Sequence, residues 1–232
     1  MIYKIAVLAP IIVEKSKIIS YKETLFYKNT LLSFILNYDK SQQYMFFVGI
    51  EENENTFSNI ETQNEIKRFI SVMANVNLEF YYFKNSDTSL VSKWNYLTKQ
   101  ACTNYYDYFI NITDMTIFNS KNWVKTALLR IKQNNNIGFV SFIDKTHNEY
   151  DVIMTSARHI NIFKKMFNNL LNVNDCVNWL KKIYPNKYSI FLSEIEITKI
   201  KPYLKYYNNN IDKISRLDII LMKKHYNYIF QE

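Results

Sequence analysis

The alternation of apolar runs with amphipathic segments is the feature that most constrains how this chain can fold. Between Ile2 and Phe142, short apolar runs typical of buried strands are separated by segments whose apolar residues recur at helical spacing. The predicted strands are Ile2–Ala9, Tyr44–Ile50, Asn77–Phe83, Tyr105–Ile112 and Ile137–Phe142. The predicted helices between them are Glu23–Leu36, Asn59–Met73, Ser89–Ala101 and Asn122–Ile131. This order indicates an α/β fold with a mostly parallel sheet flanked by helices.

The second half of the chain follows a less regular pattern. The predicted elements are a strand at Tyr150–Thr155, helices at Ala157–Phe167 and Asp175–Ile183, strands within Tyr188–Ile200 and a helix at Ile211–Ile229. Neither an internal repeat nor a linker-like composition interrupts the chain. We therefore expect a single domain that spans residues 1–232.

The scarcity of glycine excludes the nucleotide sites that are built on glycine-rich loops. The chain has 2 glycines, Gly49 and Gly138, and they are far apart in the sequence. A dinucleotide-binding fingerprint and a P-loop each require several glycines at fixed spacing. The sequence therefore excludes dehydrogenases and P-loop enzymes of the usual kind. It leaves α/β classes that bind a nucleotide at the ends of strands without such a loop.

The positive charge of the chain does not by itself indicate a nucleic-acid partner. The formal net charge is +8, which would suit nucleic acid, an anionic membrane surface or a phosphorylated substrate. However, the lysines are dispersed, and Lys, Asn, Ile, Tyr and Phe are all abundant, as in the product of an AT-rich coding sequence. We therefore expect no specific binding of nucleic acid.

Cysteine content and hydropathy both favour an intracellular protein. Cys102 and Cys176 are isolated, so we interpret them as reduced thiols and not as a disulfide or a metal site. The apolar run near the N-terminus is short and ends at Pro10. No apolar stretch reaches the length of about 18 residues that a membrane-spanning helix needs. We therefore expect no transmembrane segment and a cytoplasmic location.

An acid follows the fourth predicted strand. Asp114 comes directly after Tyr105–Ile112 and Thr113. In parallel α/β sheets, ligands bind outside the carboxyl ends of the strands. Carboxylate oxygens suit hard cations such as Mn²⁺ and Mg²⁺, so Asp114 is a candidate ligand for a cation that carries a nucleotide diphosphate. The structural alternative is a turn or N-cap acid.

The residues around Asp114 belong to a longer pattern. It comprises Phe47–Ile50 followed by Glu51 and Glu52, then Lys93, Trp94, Asn95, Ala101, Tyr106–Phe109, Asp114, Trp123, Thr155, His159, Ile162, Phe163, Cys176, Trp179 and Tyr184. In order and spacing, these residues resemble a group of GT-A-type, family-2-like glycosyltransferase-like proteins of large DNA viruses and protists. The resemblance spans about residues 43–184.

The resemblance implies a GT-A fold and a reaction. The expected reaction is transfer of a sugar from a nucleotide-diphosphate sugar to a hydroxyl of a glycan or protein acceptor, assisted by a divalent cation, Mn²⁺ or Mg²⁺. It also implies a nucleotide-binding half at residues 1–115 and an acceptor-side half, with the C-terminal helix, at residues 116–232. A viral protein of this kind would act in the host cytoplasm.

The resemblance also assigns roles to individual residues. Lys93, Trp94, Asn95 and Asp114 are expected to bind the nucleotide sugar, Asp114 and His159 to hold the cation, and Asp175 to act as the general base. Each residue has a structural alternative. Trp94 and His159 would be core residues, Lys93 a solvated helix residue and Asp175 an N-cap. We favour a solvated charge run for Glu51 and Glu52 over a base-binding loop.

The departures from the family pattern fall on its acids. Met115 stands where the family has the second acid of a pair, and Val177 and Asn178 stand where acids follow the cysteine. In addition, Asn122 replaces the glycine before the conserved tryptophan. A fold depends on the apolar framework, whereas catalysis depends on the acids. The alternative hypothesis is therefore a catalytically inactive pseudo-glycosyltransferase that serves as a binding or scaffold module.

Overall fold

The apolar runs of the sequence form the strands of one eight-stranded sheet. The structure is a computed structural model that describes residues 1–12, 20–52, 54–73, 75–84, 89–144, 149–199 and 211–225. The strands are β1 (Lys4–Pro10), β2 (Gln43–Glu51), β3 (Val76–Phe83), β4 (Tyr108–Asn111), β5 (Thr116–Phe118), β6 (Phe139–Asp144), β7 (Glu149–Ser156) and β8 (Ser189–Lys199).

Helices precede or follow most of these strands. They are α1 (Leu32–Asn37), α2 (Ile60–Ser71), α3 (Leu90–Ala101), α4 (Trp123–Gln133), α5 (Ala157–Phe163), α6 (Cys176–Ile183) and α7 (Ile211–His225). A π-helical segment, Phe26–Leu31, leads directly into α1. Short 3-10 turns cover Tyr21–Glu23, Val173–Asp175 and Asn186–Tyr188.

The sheet is mostly parallel, as the sequence predicts. Its strand order is β3-β2-β1-β4-β7-β6-β8-β5. Parallel pairs join β3 to β2, β2 to β1, β1 to β4 and β6 to β8. Strand β7 runs antiparallel to both of its neighbours, and β5 runs antiparallel to β8. Because the chain leaves β1 first toward β2 and later returns on its other side at β4, a ligand crevice is expected at the carboxyl ends of β1 and β4.

Both faces of the sheet are buried, which explains why its central strands are continuous apolar runs. Along β1, Ile5, Val7 and Ala9 belong to the core on one face, and Ala6 and Leu8 belong to the core on the other. The π-helical segment, α1, α2 and α4 supply side chains to the first core. Helices α3, α5, α6 and α7 supply the second. The predicted α/β architecture is therefore confirmed.

The structure corrects several predicted boundaries. Strand β4 is shorter than Tyr105–Ile112, and the three-residue strand β5 is absent from the prediction because so short a run has no period. Helix α5 ends at Phe163 instead of Phe167, because Lys164 adopts the left-handed conformation with φ 57° and the helix cannot continue through it. Helix α7 begins as predicted, and residues 226–229 of its predicted range lie outside the described residues.

One departure from the family pattern is explained by backbone conformation. Asn122 precedes α4 with φ 59° and ψ 16°, which is the left-handed region. Glycine enters this region without strain, and asparagine is among the few other residues that tolerate it. Asn122 therefore makes the turn that introduces Trp123 without a glycine.

Within the described parts of the chain, no helix is both long enough and apolar enough to cross a membrane.

Candidate functional site

Asp114 lies at the carboxyl ends of the central parallel strands. Ile112 extends the pairing of β4 with β1, since its N–H donates to the carbonyl oxygen of Leu8 at 3.0 Å. The chain then turns into β5, which begins at Thr116. Asp114 is therefore placed in the turn beyond the end of β4, and it is only 3 % exposed.

Hydrogen bonds from two other elements hold the turn that carries Asp114. The indole Nε1 of Trp94, on α3, donates to the carbonyl oxygen of Ile112 at 2.8 Å. The hydroxyl of Thr30 lies 3.1 Å from the carbonyl oxygen of Thr113 and 2.9 Å from that of Thr116. Within the turn, the N–H of Thr113 donates to Thr116 Oγ1 at 3.0 Å. The backbone around the carboxylate is thus fixed from both faces of the sheet.

Thr30 is a residue of this arrangement that the sequence analysis missed. It lies in the π-helical segment and is 0 % exposed. Departures from α-helical geometry of this kind are frequent at functional sites. The available signal was a hydroxyl residue among the apolar positions Phe26, Leu31 and Phe34. That signal is ambiguous, because a helical threonine can also bond within its own helix.

The carboxylate of Asp114 is held in an environment that disfavours its charge. Burial raises its pKa from 3.8 to about 6, although hydrogen bonding from the backbone N–H of Ile12 and the positive charge of Lys93 act in the opposite direction. Its Oδ1 is buried and has no hydrogen-bond partner among the described residues. An unpartnered buried carboxylate oxygen is costly, so this oxygen is a candidate acceptor for a ligand.

Lys93 reaches the same end of the sheet from α3. Its Nζ lies 2.7 Å from Glu51 Oε1 at the end of β2, and the side chains are 7 % and 28 % exposed, respectively. The ammonium also lies 5.4 Å from the centre of the Phe83 ring. The interpretation of Glu51 and Glu52 as a solvated run is therefore wrong for Glu51, and the solvated alternative is wrong for Lys93. We call Glu51, Lys93 and Asp114 the strand-end site.

Trp94 and Asn95, the neighbours of Lys93, are both held by contacts with residues 166–169, although only Trp94 is buried. Trp94 is 1 % exposed and packs edge-on against Phe167, with ring centres 5.6 Å apart. The Oδ1 of Asn95 accepts from the N–H groups of Met166 and Phe167 at 2.9 and 3.0 Å. Its Nδ2 donates to the carbonyl oxygen of Phe167 at 2.7 Å and to the side chain of Asn169. These contacts give Asn95 a structural role, and nucleotide binding by Asn95 or Trp94 stays a prediction.

His159 is also engaged by the protein. It is 1 % exposed, with Nδ1 2.9 Å from Tyr184 Oη and Nε2 3.0 Å from the carbonyl oxygen of Met166. Because a carbonyl only accepts, Nε2 carries the proton and Nδ1 accepts from Tyr184. Burial lowers the pKa of His159 to about 4, which keeps the ring neutral. Neither nitrogen has a lone pair to spare, so metal binding by His159 stays a prediction that requires one of these bonds to break.

A further pair of hydrogen bonds ties the same segment to the C-terminal helix. Asp218 of α7 accepts from Trp179 Nε1 at 3.0 Å and from Asn168 Nδ2 at 2.8 Å. Trp179 in turn packs against His159 at a ring separation of 6.0 Å. We call Asn95, His159, Trp179, Asp218 and the segment 166–168 the helix-side network.

Asp175 ends a 3-10 turn directly before α6. It is 0 % exposed, and its side chain makes no capping hydrogen bond to α6. The N-cap interpretation is therefore right in position but not in bonding. A general base must reach the hydroxyl that it deprotonates. The role of Asp175 as a base stays a prediction that requires a conformation in which it is exposed.

The predicted metal ligands do not assemble into a site. Asp114 offers one oxygen that suits a hard cation, but both nitrogens of His159 are engaged, and Met115, which follows Asp114, has no oxygen in its side chain. Among the described residues, no group of three or more His, Cys, Asp and Glu side chains could hold a metal ion. These side chains alone do not fit a protein-built site for a divalent cation.

Comparison with known proteins finds similarity in structure but not in sequence. No protein-family model and no curated protein matches this chain. Among solved structures, S. aureus TarS 1-349 matches with a TM-score of 0.52 and 11 % identity, over 99 % of this chain and 67 % of TarS 1-349. Its complex with UDP-GlcNAc gives a TM-score of 0.56 and 11 % identity, with 99 % and 68 % covered.

A nucleotidyltransferase shares the architecture as well. A Bacillus anthracis protein assigned as a glucose-1-phosphate thymidylyltransferase, solved with a sucrose, matches with a TM-score of 0.53 and 9 % identity. The match covers 94 % of this chain and 96 % of that protein. At such identities, likeness shows the fold alone. The chain therefore has a GT-A-like fold, the architecture of nucleotide-diphospho-sugar transferases, as the sequence predicts.

Proposed function

We propose that this protein is a glycosyltransferase that moves a sugar from a nucleotide-diphosphate sugar to an acceptor hydroxyl. The observation that carries the proposal is the carboxylate of Asp114, which is buried at the carboxyl ends of β1 and β4 with one oxygen that no described residue contacts by a hydrogen bond. A ligand is expected at this position of a parallel sheet. The fold neighbours support a nucleotide sugar as that ligand, since TarS 1-349 was solved with UDP-GlcNAc.

The residues of the strand-end site supply complementary chemistry for such a donor. Lys93 presents an ammonium, which pairs with phosphate oxygens. Asp114 presents an acceptor oxygen, which suits a hydroxyl of the donor or a cation that carries its diphosphate. Trp94 and Thr30 position Asp114 through the backbone of its turn. These two residues are therefore proposed to act indirectly, without contact to the donor.

The remaining elements of the expected reaction stay predictions. The acceptor is a glycan or a protein hydroxyl, and Asp175 is the acid expected to activate it. The expected Mn²⁺ or Mg²⁺ ion also stays a prediction, because the described side chains do not by themselves build a site for it. Binding of the nucleotide sugar is a separate step from activation of the acceptor and departure of the leaving group. Donor binding can therefore be tested by itself.

The test is a thermal-shift panel of nucleotide sugars, each measured with Mn²⁺ and with EDTA. A donor at a hundredfold excess over its dissociation constant adds about 2.7 kcal/mol to the free energy of unfolding. We expect at least one nucleotide sugar to stabilise the protein and Asp114→Leu to abolish that shift. Glu52→Gln, at an exposed position beside the site, is the control and should keep it. Absence of a shift with every nucleotide sugar would refute the proposal.

A second candidate function is a nucleotide-sugar-binding module without catalysis. It is favoured by the complete burial of Asp175 and by Met115 at the position of the second acid. In this case a donor should stabilise the wild type, but neither transfer nor hydrolysis of the sugar should be measurable. Release of the nucleotide in the presence of a mixture of glycan acceptors would decide for the enzyme.

A further inference from the structure

Lys93 has more hydrogen-bonding capacity than the protein uses. Its side chain is 7 % exposed, and its one hydrogen-bond acceptor in the described part of the chain is Glu51 Oε1 at 2.7 Å. An ammonium carries three N–H donors. Donors that are buried without acceptors cost free energy. The strand-end site therefore holds a cation that can still accept an anionic ligand.

Asp114 is the matching half of this arrangement. Its buried Oδ1 accepts no hydrogen bond from the part of the chain that the structure describes. Lys93 and Asp114 are both described, yet they form no ion pair with each other, and Lys93 is paired with Glu51 instead. Two oppositely charged groups with unused capacity thus lie at the same end of the sheet. A ligand that bridges them must accept from the ammonium and donate to the carboxylate.

The donor set argues against a divalent cation as that bridge. His159 has both nitrogens engaged, and Met115 replaces the second acid. A cation at Asp114 would also experience the positive charge of Lys93, and like charges repel strongly where the dielectric constant is low. A phosphate ester with a free hydroxyl, in contrast, satisfies both groups.

We propose that Lys93 takes over the charge-neutralising role of a metal ion, so that the nucleotide sugar binds without a divalent cation. This inference rests on the proposed function. A diphosphate oxygen accepts from the Lys93 ammonium, and a hydroxyl of the donor donates to Asp114 Oδ1. Glu51 pairs with Lys93 and holds the ammonium in place before the donor binds. When the phosphate binds, the N–H donors of Lys93 are divided between Glu51 and the phosphate.

The experiment measures dissociation constants by calorimetry for UDP-GlcNAc, for the best nucleotide sugar of the thermal-shift panel, and for inorganic pyrophosphate. Each ligand is titrated into the full chain with EDTA and with Mn²⁺. The variants are Lys93→Met, Lys93→Arg and, as a control on the same helix, Lys99→Met, whose side chain is exposed. Thermal unfolding of each variant checks that it is folded.

We expect the nucleotide sugar to bind equally well in EDTA and in Mn²⁺, within about twofold. Lys93→Met should weaken the nucleotide sugar and pyrophosphate by about 10- to 100-fold, the range for loss of a hydrogen bond to a charged group. Lys93→Arg should retain part of the affinity, and Lys99→Met all of it. If Lys93→Met is poorly folded, the double variant Glu51→Gln with Lys93→Met is compared with the wild type instead. This double variant removes the carboxylate that Lys93→Met would leave unpaired.

The outcomes separate this inference from the proposed function. Binding that requires Mn²⁺ and is lost in EDTA would overturn the role of Lys93 and leave the glycosyltransferase proposal standing. Metal-independent binding that Lys93→Met leaves unchanged would overturn it equally. Failure of every nucleotide sugar to bind under either condition would remove the proposed function, and the inference with it.

Discussion

The strand-end site and the helix-side network differ in how completely their polar side chains are hydrogen-bonded. In the helix-side network, both nitrogens of His159 have hydrogen-bond partners, and so do Oδ1 and Nδ2 of Asn95. In the strand-end site, the described residues leave one oxygen of Asp114 without a partner and give Lys93 a single acceptor, Glu51. A polar network in which every group is hydrogen-bonded makes a fold rigid, whereas a buried polar group without a partner can bind a ligand. The contrast thus separates residues that build the protein from residues that are free to act.

This contrast also changes the meaning of the family resemblance. Asn95, His159, Trp179 and Tyr184 belong to the pattern, and the structure ties them to one another or to the segment 166–168. A pattern position that holds the fold together remains useful whether or not the chain catalyses a reaction. The retained positions therefore support the GT-A-like fold more directly than they support activity.

The largest expected effect comes from breaking the helix-side network at Asn95. Asn95→Ala leaves the N–H groups of Met166 and Phe167 without acceptors, and both residues are 0 % exposed. We expect a loss of about 3–5 kcal/mol in the free energy of unfolding, measured by urea denaturation. Lys99→Ala, exposed on the same helix, should change it by less than about 0.5 kcal/mol. A stable Asn95→Ala variant that cannot bind the donor would reverse the assignment of Asn95.

An intermediate effect of opposite sign is expected in the strand-end site. Asp114 has its pKa raised from 3.8 to about 6 in the folded state. The protonated carboxyl group therefore contributes stability that is fully present below about pH 3.8 and is lost as pH rises through about 6. Asp114→Asn should raise the free energy of unfolding by about 3 kcal/mol at neutral pH, since each unit of pKa shift corresponds to about 1.4 kcal/mol.

That gain should disappear at low pH, where both forms are neutral. Denaturant titrations at pH 7.5 and at pH 3.5 measure the difference, with Glu52→Gln as the exposed control. A destabilised Asp114→Asn variant at neutral pH would mean that the carboxylate is satisfied by contacts of its own and that the contrast between the two regions is overstated.

The smallest effect is expected from Thr30, which links the strand-end site to the rest of the fold. Thr30→Val keeps the shape of the side chain but removes the hydroxyl that bonds to Thr113 and Thr116. We expect a loss of about 1–2 kcal/mol and a several-fold weaker binding of the donor. Thr30→Ser retains the hydroxyl and should recover most of the affinity. Equal affinities for the Val and Ser variants would show that the turn does not need this clamp.

The sequence alone determined most of the fold. A strand buried on both faces has to be a continuous apolar run, and a helix that covers a sheet needs an apolar stripe, so β1 to β4 and α2 to α4 were visible as periods. The sequence also located Asp114, because an acid directly after a buried strand lies at the carboxyl end of the sheet. The reversed direction of β7 and the existence of β5 were not visible, because strand direction and very short strands leave no periodic trace.

Only the tertiary structure decided which polar side chains have capacity left for a ligand. The contacts that settle this question join residues far apart in sequence: 42 positions separate Lys93 from Glu51, 71 separate Asn95 from Met166, and 83 separate Thr30 from Thr113. A hydrogen bond depends on distance and direction between two atoms, and neither quantity is encoded in local periodicity. Asn95 and Lys93 lie two positions apart on α3, and packing alone saturates one and leaves the other with donors to spare.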